Sequence, residues 1–332
     1  TGLSQPDTKK SNLSLNATDM EKEDNQMLLD VKGVISVLQT PFSSKKQIDW
    51  NCYGKLIRNS IQSGVNGFLA PAVASEVIYL TQAERQDIIH FVADSTKEKV
   101  PFIVGASGQT VDQCRYFAKL AHEVSADAYL VAVTPELYAN PYQIVSFFQA
   151  IVPVTNLPII IQDLQFNGPG LSLDIIKQLH QIIPTLAGMK IETVPAGPKY
   201  TTIRHLFGLD FLVAGGWAVP QMLEALDRDI DAMIPESSMV QVYSAIINLY
   251  RSGDRQKAKD LFWKLLPILA FANQNLETSI AFFKRLLVAK GIFNTEVMRY
   301  NYVFDSFQQR IADELIAHYL EIESSVQNLS TS

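Results

Sequence analysis

Cysteine is nearly absent: Cys52 and Cys114 are the two thiols in a chain of 332 residues. Two cysteines build no disulfide framework and offer no metal-ligand spacing. Both fall in segments of helical period, where a buried free thiol is the default. A reducing, cytoplasmic compartment is the expectation. No apolar run reaches the roughly 18 residues of a membrane span. Positive charge is scarce too. The net charge is -6, and no Lys/Arg stripe marks a nucleic-acid partner. No His, Cys or carboxylate cluster has ligand spacing, so no metal is expected. No Gly-x-Gly-x-x-Gly follows the first apolar run, which removes the phosphate cradle of a nicotinamide enzyme.

What is present is a hydrophobic content of 47%, enough for a large core. Residues 1–30 are polar and lack the apolar centre of a signal peptide, so they read as a disordered leader. Asn16-Ala17-Thr18 matches a glycosylation acceptor by chance, since no secretory signal accompanies it.

From Gly33 onward, eight short apolar runs alternate with amphipathic segments. They are Val34–Leu38, Gly67–Pro71, Phe102–Val104, Ala128–Val133, Ile159–Ile161, Leu186–Ile191, Phe211–Ala214 and Ile230–Ile234. Unbroken apolar character indicates strands covered on both faces, hence a parallel sheet. Helix starts follow: Asp49, the capping box Thr81…Glu84, Thr110, Pro141–Tyr142, Ser172, Pro198 and Val219–Pro220. Eight βα units predict a (β/α)8 TIM barrel over residues 31–236. After Pro235 only helical period remains, in Ser238–Tyr250, Gln256–Ala272, Glu277–Lys290 and Val303–Glu323. This predicts a C-terminal helical extension over residues 237–328.

Lys190 is the conspicuous residue. It ends the run Leu186-Ala187-Gly188-Met189-Lys190-Ile191-Glu192 and is the one lysine among the strand ends of the barrel pattern. Chemistry in such barrels sits at the C-terminal ends of the strands. Burial lowers a lysine pKa and leaves a nucleophile able to condense with a carbonyl. The competing reading is a structural lysine that reaches solvent or pairs with Glu192.

Five stretches, in order, resemble the dihydrodipicolinate synthase / N-acetylneuraminate lyase family. They are Gly33…Thr40-Pro41-Phe42 with Ile48-Asp49; Gly64-Val65-Asn66-Gly67 with Ser75-Glu76…Leu80-Thr81…Glu84-Arg85; Ala126-Asp127-Ala128 with Thr134-Pro135; Gly188-Met189-Lys190-Ile191-Glu192; and Gly215-Gly216 with Ile234-Pro235. The resemblance implies a lysine imine with a 2-oxo acid, formed by Lys190 without cofactor. It also implies a homo-oligomer, tetramer or dimer.

The chain departs from that pattern in three places. The Gly-Thr-Thr-Gly-Glu of many members reads Ala72-Val73-Ala74-Ser75-Glu76 here. The main chain of Ala74 and Ser75 is then expected to hold the substrate carboxylate, with help from the Ser75 hydroxyl. The family's proton-carrying tyrosine on strand 5 is replaced by Gln162-Asp163. Glutamine does not titrate usefully, so Asp163, Glu192 or a water held by Gln162 takes over. Alternatively, Gln162 and Asp163 only bond loop backbone. Tyr138 takes one place of a tyrosine pair, and with Gly215, Gly216 and Trp217 shapes the distal substrate pocket. Trp217 reads equally well as a packing residue.

A Gln-Asp at this point brings the chain nearer the 2-keto-3-deoxy sugar-acid dehydratases. The leading expectation is a Schiff-base-forming aldolase or dehydratase acting on a small 2-oxo acid. The alternative is a relative that binds an oxo acid without turning it over.

Overall fold

The computed structural model describes residues 29–330, Ala218 excepted. The leader expected over residues 1–30 and its Asn16 lie almost wholly outside the described residues. Eight parallel strands close into a barrel in sequence order. They are β1 Gly33–Val37, β2 Gly67–Ala70, β3 Phe102–Gly105, β4 Ala128–Ala132, β5 Ile159–Leu164, β6 Leu186–Glu192, β7 Leu212–Gly215 and β8 Ala232–Met233. The barrel helices are α1 Trp50–Gln62, α2 Gln82–Thr96, α3 Val111–Glu123, α4 Pro135–Ala139, α5 Ile144–Ile151, α6 Leu173–Ile182, α7 Gly197–Phe207 and α8 Met222–Asp227. Then come α9 Val240–Arg251, α10 Arg255–Ala272, α11 Leu276–Ala289 and α12 Ser306–Ser330. This is the expected TIM barrel with a C-terminal helical extension. Among the described residues no helix is long and apolar enough to cross a membrane.

Capping follows the sequence closely. Asp49, Thr81, Thr110 and Ser172 each accept a backbone N–H from the first turn of the helix they precede. Most boundaries shift by one or two residues, and three differences from expectation have a clear physical cause. α12 begins at Ser306 rather than Val303, because the Asp305 carboxylate accepts the N–H groups of Phe307 and Gln308 at 2.9 Å each. The loop after β4 contains the short helix α4, started by Thr134-Pro135. β5 runs on past Ile161 to Leu164, because Gln162, Asp163 and Leu164 all pair with β6. That last difference decides where two site residues point.

Side chains alternate along each strand. Ile35, Leu69, Ile103, Leu130, Ile160 and Leu212 belong to a compact cluster within the barrel. Their neighbours along the strands, such as Val34, Phe68, Tyr129 and Ile161, join the much larger core shared with the helices. The inner cluster fills the barrel and leaves polar side chains room at its C-terminal rim.

The extension is fastened to that rim by a buried ion pair. Lys284 of α11 donates to Glu76, and neither side chain is exposed. Glu76 follows β2 with a left-handed φ of 59° and also accepts the N–H of Arg299 at 2.8 Å. The Lys284 ammonium donates to the Val297 carbonyl at 2.9 Å and lies 4.4 Å from the centre of the Phe42 ring. Burial outweighs the pull of Glu76 and brings this ammonium down to about 8. Breaking one side of such a pair strands a buried charge. Lys284→Met should therefore cost about 3–5 kcal/mol in urea denaturation, and the double variant Glu76→Gln, Lys284→Met should recover most of it. A double variant as unstable as the single one would contradict this account.

Candidate active site

Lys190 and Glu192 lie two residues apart on β6, so both side chains turn into the barrel. Gln162 faces Lys190 in the β5–β6 register. Glu192 is the hub. Its Oε1 lies 3.0 Å from the Lys190 ammonium and accepts the Trp217 N–H at 2.6 Å. Its Oε2 accepts the Gln162 amide at 2.6 Å. Lys190 is 4% exposed and Glu192 5%, so the pair is almost wholly removed from water while both residues border the cavity.

Gly216 makes this packing possible. A Cβ there would meet Glu192 Oε1 at 2.1 Å and Lys190 Cε at 2.4 Å. The carboxylate therefore occupies the space that a side chain on residue 216 would need. Gly215, one position earlier, faces the other way. Its Cβ would meet the Tyr200 hydroxyl at 2.5 Å and Met233, so it packs under α7 instead of lining a substrate pocket as expected.

The cavity at the C-terminal end of the barrel holds about 660 Å³ of space, its open mouth included. Lys190, Glu192, Gln162, Ala74, Gly216 and Trp217 all border it. Trp217 stands edge-on to Phe166 at 5.0 Å between ring centres, and both rings line the wall. Helices α10 and α11 supply the opposite side, through residues such as Leu269, Ile280 and Phe283. The extension thus walls the site as well as bracing the barrel.

Besides Gly215, three expected residues are not brought to Lys190. Asp163 follows inward Gln162 on the same strand, so alternation turns it outward. There its Oδ1 accepts the Tyr138 hydroxyl at 2.6 Å and the Leu171 N–H at 2.9 Å. Its Oδ2 meets the Lys199 ammonium at 2.5 Å. Neither Asp163 nor Tyr138 is part of the cavity wall. Burial, reinforced by the Asp163 charge, pushes the Tyr138 hydroxyl far above the usual tyrosine range. These residues clamp the loops after β4 and β5 outside the barrel.

Ser75 is the third. Its hydroxyl donates to the Leu38 carbonyl at 2.6 Å and accepts the Ala72 N–H at 3.0 Å. Its own N–H donates to the Ala72 carbonyl at 2.9 Å. The hydroxyl and the N–H of Ser75, both expected to reach a carboxylate, are thus engaged within the protein. The N–H groups of Val73 and Ala74 donate to no acceptor among the described residues, and both residues border the cavity.

Sequence reasoning missed several polar residues of the wall, Gln39 and Glu236 among them. The signal was available for Glu236. It stands two positions beyond the apolar run Ile230–Ile234, the eighth strand end. Asp163→Asn should weaken the outer clamp and cost about 3–5 kcal/mol in chemical denaturation. Parental stability in that variant would contradict the clamp assignment.

The Dihydrodipicolinate synthetase family matches residues 30–310. A 4-hydroxy-tetrahydrodipicolinate synthase from Maridesulfovibrio salexigens is 26% identical over 246 residues, covering 71% of this chain and 81% of the relative. N-acetylneuraminate lyase 2 from Escherichia coli is 27% identical over 289 residues, covering 82% and 89%. Among solved structures, dihydrodipicolinate synthase from Rhodopseudomonas palustris superimposes with a TM-score of 0.79 at 20% identity, over 87% of this chain and 98% of that one. A sialic acid aldolase from Ruminococcus gnavus gives 0.80 at 17% identity, over 90% and 99%. These two structures share the fold. The chain belongs to the dihydrodipicolinate synthetase family, and it is a lyase.

Proposed function

We propose that this lyase works through a lysine imine on a small 2-oxo acid, with Lys190 as the nucleophile. The observation that carries the reading is the buried Lys190–Glu192 pair at 3.0 Å, set in the wall of the C-terminal cavity. A lysine must shed a proton to attack, and Glu192 stands where it can take that proton. The neutral Nζ then adds to the C2 carbonyl carbon. The carbonyl oxygen takes a proton from the newly attached nitrogen to become a hydroxyl, and Glu192 returns its proton to that hydroxyl as it leaves as water. The product is a protonated imine between Nζ and C2. Its positive nitrogen draws electrons from C3, so a C3 proton or a C3–C4 bond can be released to give the enamine. Addition of water to the imine carbon later frees Lys190.

Gln162 and the Trp217 N–H hold Glu192 in place through this sequence. Neither titrates in the working range, so each positions the carboxylate without competing for its proton. The N–H groups of Val73 and Ala74 are suited to the substrate carboxylate, in the manner of main-chain anion cradles. Ser75 acts only by shaping their turn. Within the family, a 2-keto-3-deoxy sugar acid that loses water is the substrate class we favour. The strand-5 position expected to carry a tyrosine carries Gln162, and the hydroxyl of Tyr138 is engaged outside the barrel.

Incubation with pyruvate, or with a panel of 2-keto-3-deoxy sugar acids, followed by borohydride should add one substrate mass to the intact protein. Lys190→Ala should show no adduct. Absence of an adduct with every acid tested would overturn the imine reading and favour a relative that only binds. Gly216→Ala provides a geometric test. Its Cβ must displace Glu192 or Lys190, and misplacement on the ångström scale costs about 100-fold in rate. Trapping with pyruvate should slow by that order while the circular dichroism spectrum is kept. An unchanged trapping rate would show that the pair does not need its present position.

A further inference from the structure

The imine chemistry leaves one buried carboxyl of the cavity without a task. Glu236 lies beyond β8 and pairs in parallel register with Val37. Ala232 and Ile234 belong to the cluster inside the barrel, so alternation brings Glu236 to the same side. It is 8% exposed and borders the same cavity as Lys190 and Glu192.

Its two oxygens have different surroundings. Oε2 accepts the Gln39 amide at 2.7 Å and the Ser238 N–H at 2.5 Å. Oε1 is buried and has no hydrogen-bond partner among the described residues. The charged and titratable groups around it give no ion pair. Lys290, which caps the C-terminus of α11, acts on Glu236 only at a distance. Its ammonium is taken by Glu323 of α12 at 2.5 Å and by the Ser238 carbonyl at 2.8 Å. Tyr243 of α9 and Tyr319 of α12 are buried, and burial pushes both hydroxyls well above the usual range, so they stay neutral. An unpaired carboxylate in such a place is costly. Burial accordingly raises the Glu236 carboxyl above its usual range, against the pull of Ser238, Gln39 and Lys290.

A neutral carboxyl has one O–H to give. Oε2 already receives two donors, so the proton belongs on Oε1, the oxygen without a partner. Glu192 differs in this respect. It has the ammonium and two donors around it, so both of its oxygens are engaged. Two carboxyls in contrasting environments divide acid and base work in other enzymes. Here they come from β6 and β8, with β7 between. Neighbouring strands stand about 4.8 Å apart, so the two backbones are roughly 10 Å apart along the wall, and both side chains point into the cavity between them.

We propose that Glu236 is the acid partner of Glu192: a neutral carboxyl that gives its Oε1 proton to the leaving hydroxyl of a substrate held at Lys190. This rests on the imine reading for the identity of the substrate. Glu192 removes a proton from C3, and the C3–H electrons form the enamine. The enamine then expels the C4 hydroxyl as its C–O bond breaks. That oxygen takes the proton from Glu236 and leaves as water. Glu236 is left as a carboxylate and Glu192 as the acid, and exchange with solvent restores both.

The test compares the parent with Glu236→Gln, which keeps the shape and a donor but has no proton to transfer. Borohydride trapping of pyruvate should reach the parental extent in the variant, which also shows that it folds. Dehydration of five- and six-carbon 2-keto-3-deoxy sugar acids should lose about 100-fold or more in kcat, with little change in KM. In the parent, kcat should fall on the alkaline side as Glu236 ionises, above the ordinary carboxyl range, and this limb should vanish in the variant. A kcat within threefold of the parent, with the same pH profile, would overturn the proposal. The infrared difference spectrum of parent minus variant at neutral pH should show a carboxylic-acid carbonyl band. A carboxylate band in its place overturns the proposal whatever the trapping result. Failure of the parent to trap any acid counts against the imine reading instead, and the infrared band still decides the state of Glu236.

Discussion

The contact between Glu192 and the Lys190 ammonium, inside a barrel and nearly out of water, is the constraint around which the rest of the site is arranged. A charged pair in such surroundings is tolerable only when its remaining lone pairs and protons are met. Gln162 and the Trp217 N–H meet those of Glu192. Gly216 gives up a side chain so that the carboxylate can sit against the turn after β7. Neighbouring strands on both sides of β6 therefore contribute to one carboxylate.

The barrel supplies this arrangement through alternation and closure. Positions 160, 162 and 164 on β5, and 188, 190 and 192 on β6, face inward in register. Apolar side chains fill the lower layers and leave the polar ones at the rim. The extension then seals that rim. α11 contributes Ile280 and Phe283 to the cavity wall, and one turn away Lys284 locks to Glu76. Stability and access to the site are thus linked through one helix. The Asp163–Tyr138–Lys199 cluster plays the matching part outside the barrel, where it fixes the loops after β4 and β5.

Much of the fold was legible in the sequence. Unbroken apolar runs and good N-caps locate strands and helices with little help from tertiary context, and their count gives the barrel. Lys190 was legible because a lysine at the end of an apolar run has few structural excuses. Position on a face was harder to read. The apolar run of β5 stops at Ile161, whereas hydrogen bonding carries the strand to Leu164. Gln162 and Asp163 therefore read as a pair of loop residues, and only the register separates one from the other. Ser75 misled for a different reason. A hydroxyl in the turn after β2 suggests binding, but here it closes its own turn. Gln39 follows the first apolar run and Glu236 the eighth, but nothing local joins one to the other. They become partners only because β1 and β8 meet where the barrel closes.

The central claim is that Lys190 becomes covalently bonded to a 2-oxo acid in this cavity. A crystal structure of the protein soaked with pyruvate tests it most directly. The account predicts continuous density from Lys190 Nζ to C2 of pyruvate, with the carboxylate against the N–H groups of Val73 and Ala74. Pyruvate bound in the cavity without a bond to Lys190, the ammonium still paired with Glu192, would contradict it.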